Sequence, residues 1–348
     1  MTRTPNPALL DAAFAAVADG VAGGTLPSAV LAVANRNEII RMDAFGPATV
    51  DSIFLLASIT KPIFSTAVMQ LVERGKVLLN DRIVRLIPEF AVNNKGDVRL
   101  WNLLTHTSGL VGTAGSELWG RANRDQMRAA ILGAGLEFKP GTEFSYNNPA
   151  FGVMSELIQR VSSQDDVSFL RDNVLAPLGM VDTSYRPTDE SRAMPVHNAP
   201  WSDDASREYW MNLAIPAGGL WSTAGDLVRF GQAMLGGKTA SGKQVLSPAT
   251  ISQMSRLQTD GLYSTNGDGK ARAYYGLGYF KAGFTNSGGP SPEYRTAAGY
   301  GHPGASGTLL WIEPELDLIY LFLTNSWGSA NPQQHLALNA TIAAFSGQ

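Results

Sequence analysis

The strand-forming runs of this 348-residue sequence lie at its two ends, and helix-forming runs fill the middle. Near the start, residues 28–33 (SAVLAV) and 38–42 read as two strands about an Asn35-Arg36-Asn37 turn, and residues 53–57 form a short apolar run. Near the end, residues 274–281, 307–312 and 318–324 read as strands, and 333–345 as a closing helix. In between, Ile63, Ala67, Val68, Leu71 and Val72 mark one face of a helix over 62–74, ended by Gly75. Residues 100–104 and 150–161 predict further helices, and Thr223-Ala224-Gly225-Asp226 resembles a capping box opening another. This order predicts an α/β (α+β) chain. Residues 1–60 and 270–348 build one sheet domain, residues 61–269 form an inserted, mainly helical domain, and the active site lies at their interface.

Composition narrows the chemistry. The sequence has no cysteine, which removes disulfides, thiol nucleophiles and cysteine-ligated metals. Its net charge of −3 and lack of a basic run argue against a nucleic-acid partner. The four histidines (His106, His197, His302, His335) include no pair at helical ligand spacing, so no metal or cofactor is expected. Residues 8–22 are alanine-rich, but Asp11 and Asp19 leave only seven residues between them, which predicts an amphipathic helix rather than a signal peptide. The apolar run over 318–323 suits a buried strand, since crossing a bilayer takes ~20 residues. The expectation is a cytoplasmic protein with no membrane partner. Oligomeric state is not legible.

Three familiar patterns fail on context. Residues 299–304 match G-x-G-x-x-G, but strand-like residues follow where a phosphate-binding helix must begin, and Pro303 lies inside the run. Gly237-Lys238-Thr239 resembles a P-loop but has Gln232 where its first glycine must stand. No G-x-S-x-G elbow occurs. Two loop-like segments, 188–212 (with Trp201, Tyr209 and Trp210) and 260–300, read either as surface connections or as pocket walls.

Chemistry concentrates in three stretches. Ser58-Ile59-Thr60-Lys61 opens the first central helix, and its spacing puts Ser58 and Lys61 on one face. A serine hydroxyl needs a base beside it, and burial under Phe54 and Leu55 would lower the Lys61 pKa. In Tyr146-Asn147-Asn148, residues two apart in an extended segment point the same way, so Tyr146 and Asn148 both face a cleft. A phenol beside a cationic lysine is expected to have a depressed pKa and to relay the serine proton. In Gly301-His302-Pro303-Gly304-Ala305, the glycine allows close approach by substrate, and the Ala305 amide pairs with that of Ser58 as an oxyanion hole.

The order of these pieces resembles the serine β-lactamase and penicillin-binding-protein superfamily. The similarity is to its class C-like branch, with family VIII carboxylesterases, DD-peptidases and D-amino-acid amidases. It rests on S-x-x-K at Ser58–Lys61, Y-x-N at Tyr146–Asn148, and a K-T-G-like H-x-G at His302–Gly304. The segments 103–110 (LLTHTSGL) and 216–223 (PAGGLWST) extend it to roughly residues 28–325. The resemblance implies a β-lactamase/transpeptidase-like fold, with an antiparallel sheet flanked by helices. It implies that Ser58 is acylated, that Lys61 and Tyr146 share the base role, and that Tyr146 also helps activate the deacylating water. Asn148 would bond the acyl side chain, Trp221 would sit near the pocket with His302, Gly304 and Ala305, and His106 would be structural. Which of Lys61 and Tyr146 takes the proton stays open, because coupled groups titrate together.

One departure bears on substrate. Penicillin-directed members of the superfamily carry a lysine and then a hydroxyl at the start of the third motif, and these bind the substrate carboxylate. Here His302 and Pro303 stand there, and Pro303 offers neither hydroxyl nor amide proton. A charge-assisted hydrogen bond contributes ~1.5–3 kcal/mol, about 10- to 150-fold. The expectation is therefore a carboxylesterase on small uncharged acyl esters. The alternatives are a D-stereospecific peptidase, amidase or β-lactamase, an acyltransferase, or a non-catalytic acyl binder. Activity is expected to fall below about pH 6, through Lys61, Tyr146 and a His302 that charges near ~6.5.

Overall fold

The computed structural model describes residues 4–236, 242, 244–265, 271–283, 294–328 and 331–347. Gly237-Lys238-Thr239 and parts of the 260–300 segment lie outside them. Eight strands are present among the described residues: β1 (Ala29–Ala34), β2 (Ile39–Phe45), β3 (Phe54–Leu55), β4 (Trp221–Ser222), β5 (Phe280–Lys281), β6 (Tyr300–Pro303), β7 (Leu309–Glu313) and β8 (Leu318–Thr324). Six form one sheet in the order β2-β1-β8-β7-β6-β5, with every neighbour antiparallel. β1 beside β8 joins the two ends of the sequence, with Ala29 opposite Thr324 and Ala34 opposite Ile319.

Alternation along the central strands explains their near-continuous apolar runs. Leu31, Val33, Trp311, Tyr320 and Phe322 pack with Phe14, Val17, Leu338 and Ile342 of the terminal helices Pro7–Ala22 and Pro332–Ser346. Their neighbours Val30, Ala32, Leu310, Ile312, Ile319 and Leu321 face the larger core, which contains Phe64 and Val68 of helix Thr60–Glu73 and Leu227 and Phe230 of helix Ala224–Gly236. Both faces of each strand are buried, which a two-sided helical cover requires. No helix among the described residues is long and apolar enough to cross a membrane.

Three local expectations are corrected. The run 274–281 is not one strand. It doubles back as a tight hairpin, with the Gly276 amide donating to the Tyr279 carbonyl (2.7 Å), the Lys281 amide to the Tyr274 carbonyl (2.9 Å), and Gly278 at φ +85°. Residues 300–303, within the G-x-G-x-x-G match, form β6, followed by a turn and β7 rather than by a helix. The segment 188–212 is not all loop. Helix Asp204–Leu213 begins there, with the Asp203 carboxylate accepting from the Ser206 amide. At Thr223, half of the expected box forms: its hydroxyl accepts from the Asp226 amide, while the Asp226 carboxylate accepts from Thr183, the Asp182 amide and Arg229.

Candidate active site

Ser58 sits on a single 3-10 turn, Ala57–Ile59, that runs directly into helix Thr60–Glu73. Several bonds fix this turn. The Leu56 amide donates to the Leu220 carbonyl (2.8 Å), the Leu220 amide to Thr60 Oγ1 (3.1 Å), Ser306 Oγ to the Leu55 carbonyl (2.6 Å) and Thr308 Oγ1 to the Leu56 carbonyl (3.0 Å). Ala57 is held at φ +48°, a left-handed conformation that costs a non-glycine residue about 1–3 kcal/mol.

Lys61 is fully buried, and its Nζ lies 3.1 Å from Ser58 Oγ and 2.7 Å from the Ala217 carbonyl that accepts from it. It forms no ion pair among the described residues, and its nearest rings are Tyr146 (4.7 Å) and Phe151 (5.4 Å). Burial without a countercharge holds its pKa well below the ordinary lysine value.

Tyr146 enters from the stretch before helix Pro149–Ser162. Its hydroxyl interacts with Ser58 and lies 3.5 Å from His302 Nε2, and its ring stacks on Phe280. The expected depression of its pKa is corrected: burial raises it, and outweighs the lowering by the Ser58 hydrogen bond. Asn148 does not continue the extended alternation, since its backbone is already helical (φ −72°, ψ −41°).

His302 projects from β6 and is buried. Its Nδ1 lies 2.7 Å from the Pro303 carbonyl, which only accepts, so Nδ1 carries the proton and Nε2 is bare. The expectation that His302 charges near 6.5 is corrected: burial and the nearby Lys61 push it down to about 3. Its one donor is spent on its own backbone. Gly304 also serves differently from expectation. A Cβ there would overlap the Leu56 carbonyl and the Thr308 hydroxyl, so the close approach is by the nucleophile's own turn.

Ser58, Asn148 and Ala305 line a cavity of about 420 Å³. The Ala305 amide donates to no acceptor among the described residues. The cavity walls carry Trp119, Trp210 and Trp327 with Met127, Ile131 and Leu213. Lys61, Tyr146, His302 and Gly304 do not line it. Trp221 does not either: it is buried in β4 opposite Leu55. Trp210 was legible as an aromatic loop residue. Trp119 and Trp327 carried no motif, nor did Tyr275, whose hydroxyl reaches His302 Nε2 at 3.3 Å. His106 is buried in the same cluster, its ring tilted against that of Tyr146 with centroids 4.5 Å apart.

An antiparallel sheet with flanking helices, and a serine, a buried amine and a phenol meeting beside it, define the active-serine β-lactamase/transpeptidase type of protein. A family model described as Beta-lactamase matches residues 13–345, and the chain belongs to that family. Penicillin-binding protein 4 of Amycolatopsis lactamdurans is 30% identical over 297 residues, covering 80% of this chain and 73% of its own length. Among solved structures, EstCE1, a hydrolase with promiscuous acyltransferase activity, superposes with a TM-score of 0.79 at 19% identity, covering 96% of this chain and 98% of its own. A family VIII carboxylesterase gives 0.76 at 20% identity, covering 98% of each chain.

Proposed function

We propose that this chain is a serine hydrolase that works through an acyl-Ser58 intermediate and prefers uncharged carboxylic esters. The observation that carries this reading is the buried Lys61 amine 3.1 Å from Ser58 Oγ, with no ion-pair partner among the described residues. Neutral Lys61 accepts the Ser58 proton as Oγ attacks the ester carbonyl. The Ser58 and Ala305 amides receive the developing oxyanion. Tyr146, whose raised pKa keeps it a neutral phenol, gives its proton to the departing alkoxide and takes the one held by Lys61 in its place, so that Lys61 and Tyr146 are both neutral again. Water then attacks the acyl-enzyme by the same path, with Asn148 holding the acyl group.

The preference for uncharged substrates rests on the third motif. Neutral His302 has its only proton on the Pro303 carbonyl, and Pro303 adds no donor, so nothing there matches a substrate carboxylate. The indole-walled cavity has room for an acyl group larger than acetyl. The test compares p-nitrophenyl esters, nitrocefin and a D-Ala-D-Ala peptide on wild type and Ser58→Ala. Ester turnover that disappears in Ser58→Ala, and exceeds the other two by at least tenfold, supports the proposal. Ester turnover unchanged by Ser58→Ala rejects it.

A further inference from the structure

Two buried residues outside all three motifs join the second motif to the third. The Asn147 amide, between Tyr146 and Asn148, donates to His106 Nδ1 at 2.9 Å. That nitrogen therefore accepts, so the His106 proton is on Nε2, which lies 3.1 Å from the Tyr275 hydroxyl oxygen. With its oxygen occupied as acceptor, Tyr275 directs its own proton to His302 Nε2 at 3.3 Å. The Pro303 carbonyl holds the His302 proton on Nδ1, so Nε2 offers a single lone pair. All donors in this series point one way, from the second motif to the third.

That lone pair has two hydroxyls within reach, Tyr275 at 3.3 Å and Tyr146 at 3.5 Å. It accepts well from only one. His106 sits at φ +57°, and Tyr275 is on the tight hairpin that turns at Gly276 and Gly278, so the backbone at both ends is built to hold them here. We infer that Tyr275 is a positioning residue: by occupying His302 Nε2 it keeps the Tyr146 hydroxyl turned toward Ser58, where it delivers the leaving-group proton. This rests on the serine-hydrolase reading above. Without the Tyr275 hydroxyl, Tyr146 would donate to His302 instead.

The readout is leaving-group dependence, because p-nitrophenoxide departs without a proton and an alkoxide does not. kcat/KM reports acylation, and is measured for an alkyl ester and a p-nitrophenyl ester of the same acyl group. Tyr275→Phe is expected to reduce it at least tenfold more on the alkyl ester. In a His302→Leu background, which has no lone pair to capture Tyr146, adding Tyr275→Phe should change that ratio less than twofold. Equal losses on both esters, or an undiminished effect in the double variant, overturn the inference. Provided Ser58→Ala abolishes turnover, they leave the hydrolase reading intact. Should Tyr275→Phe fail to fold, ¹⁵N spectra of the four wild-type histidines decide the matter. His302 as the Nδ1–H tautomer and His106 as the Nε2–H tautomer are expected, and either one reversed overturns the inference.

Discussion

Lys61 forms no ion pair among the described residues, so the folded protein disfavours its charge while the unfolded chain does not. Below the ordinary lysine value of 10.5 the unfolded state binds a proton that the native state releases, so stability rises with pH between the two pKa values. Relative to Lys61→Met, wild type should gain up to ~1.4 kcal/mol per pH unit in that window. Calorimetric melting of both proteins from pH 6 to 10 measures it, and parallel curves would exclude a neutral Lys61. The acid limb of activity then reports Lys61 and not His302, which stays neutral down to about 3. His302→Gln should leave the midpoint of that limb within about half a pH unit, whatever its effect on rate, as pH–kcat/KM profiles would show. At this scale, spacing made Ser58, Lys61 and Tyr146 legible. The proton on His302 was not, because it depends on a carbonyl whose direction only the fold sets.

The nucleophile's turn is clamped between β3–β4 pairing and the β6–β7 turn, through Leu56 and its carbonyl. Gly304→Ala forces that carbonyl and Thr308 apart. It should cost ~1–3 kcal/mol in stability and lower kcat more than KM. Denaturant melts with steady-state kinetics check this, and wild-type behaviour in both would separate the turn from the chemistry. The long elements were readable because both faces of β1 and β8 are buried and their apolar runs are unbroken. The hairpin at 274–281 was not. Its aromatic, glycine-spaced sequence matches a strand pattern, and only packing of Gly278 against Ser65 shows where the backbone turns. β6 was hidden likewise by Gly301, which lies too close to Leu310 and Trp311 to carry a side chain.

Taken as a whole, the molecule sets Ser58 in the wall of a cavity whose indoles come from three separated stretches, at Trp119, Trp210 and Trp327. Trp210 packs edge-on or tilted against Trp119, Trp201 and Trp327 at 5.6–5.8 Å, so its removal loosens the whole wall. Trp210→Ala should reduce kcat/KM for a benzoyl or hexanoyl ester at least tenfold more than for an acetyl ester. Equal losses across an acyl-length series would mean that this cavity does not hold the acyl group. In the proposed mechanism, turnover passes through an ester on Ser58. Acid-quenching the protein during hydrolysis of a p-nitrophenyl ester, then mapping peptides by mass spectrometry, tests it most directly. One acyl mass increment is expected on the peptide containing Ser58, formed and lost at rates compatible with kcat. Sustained turnover with that peptide unmodified, or with the acyl group on another residue, would contradict it.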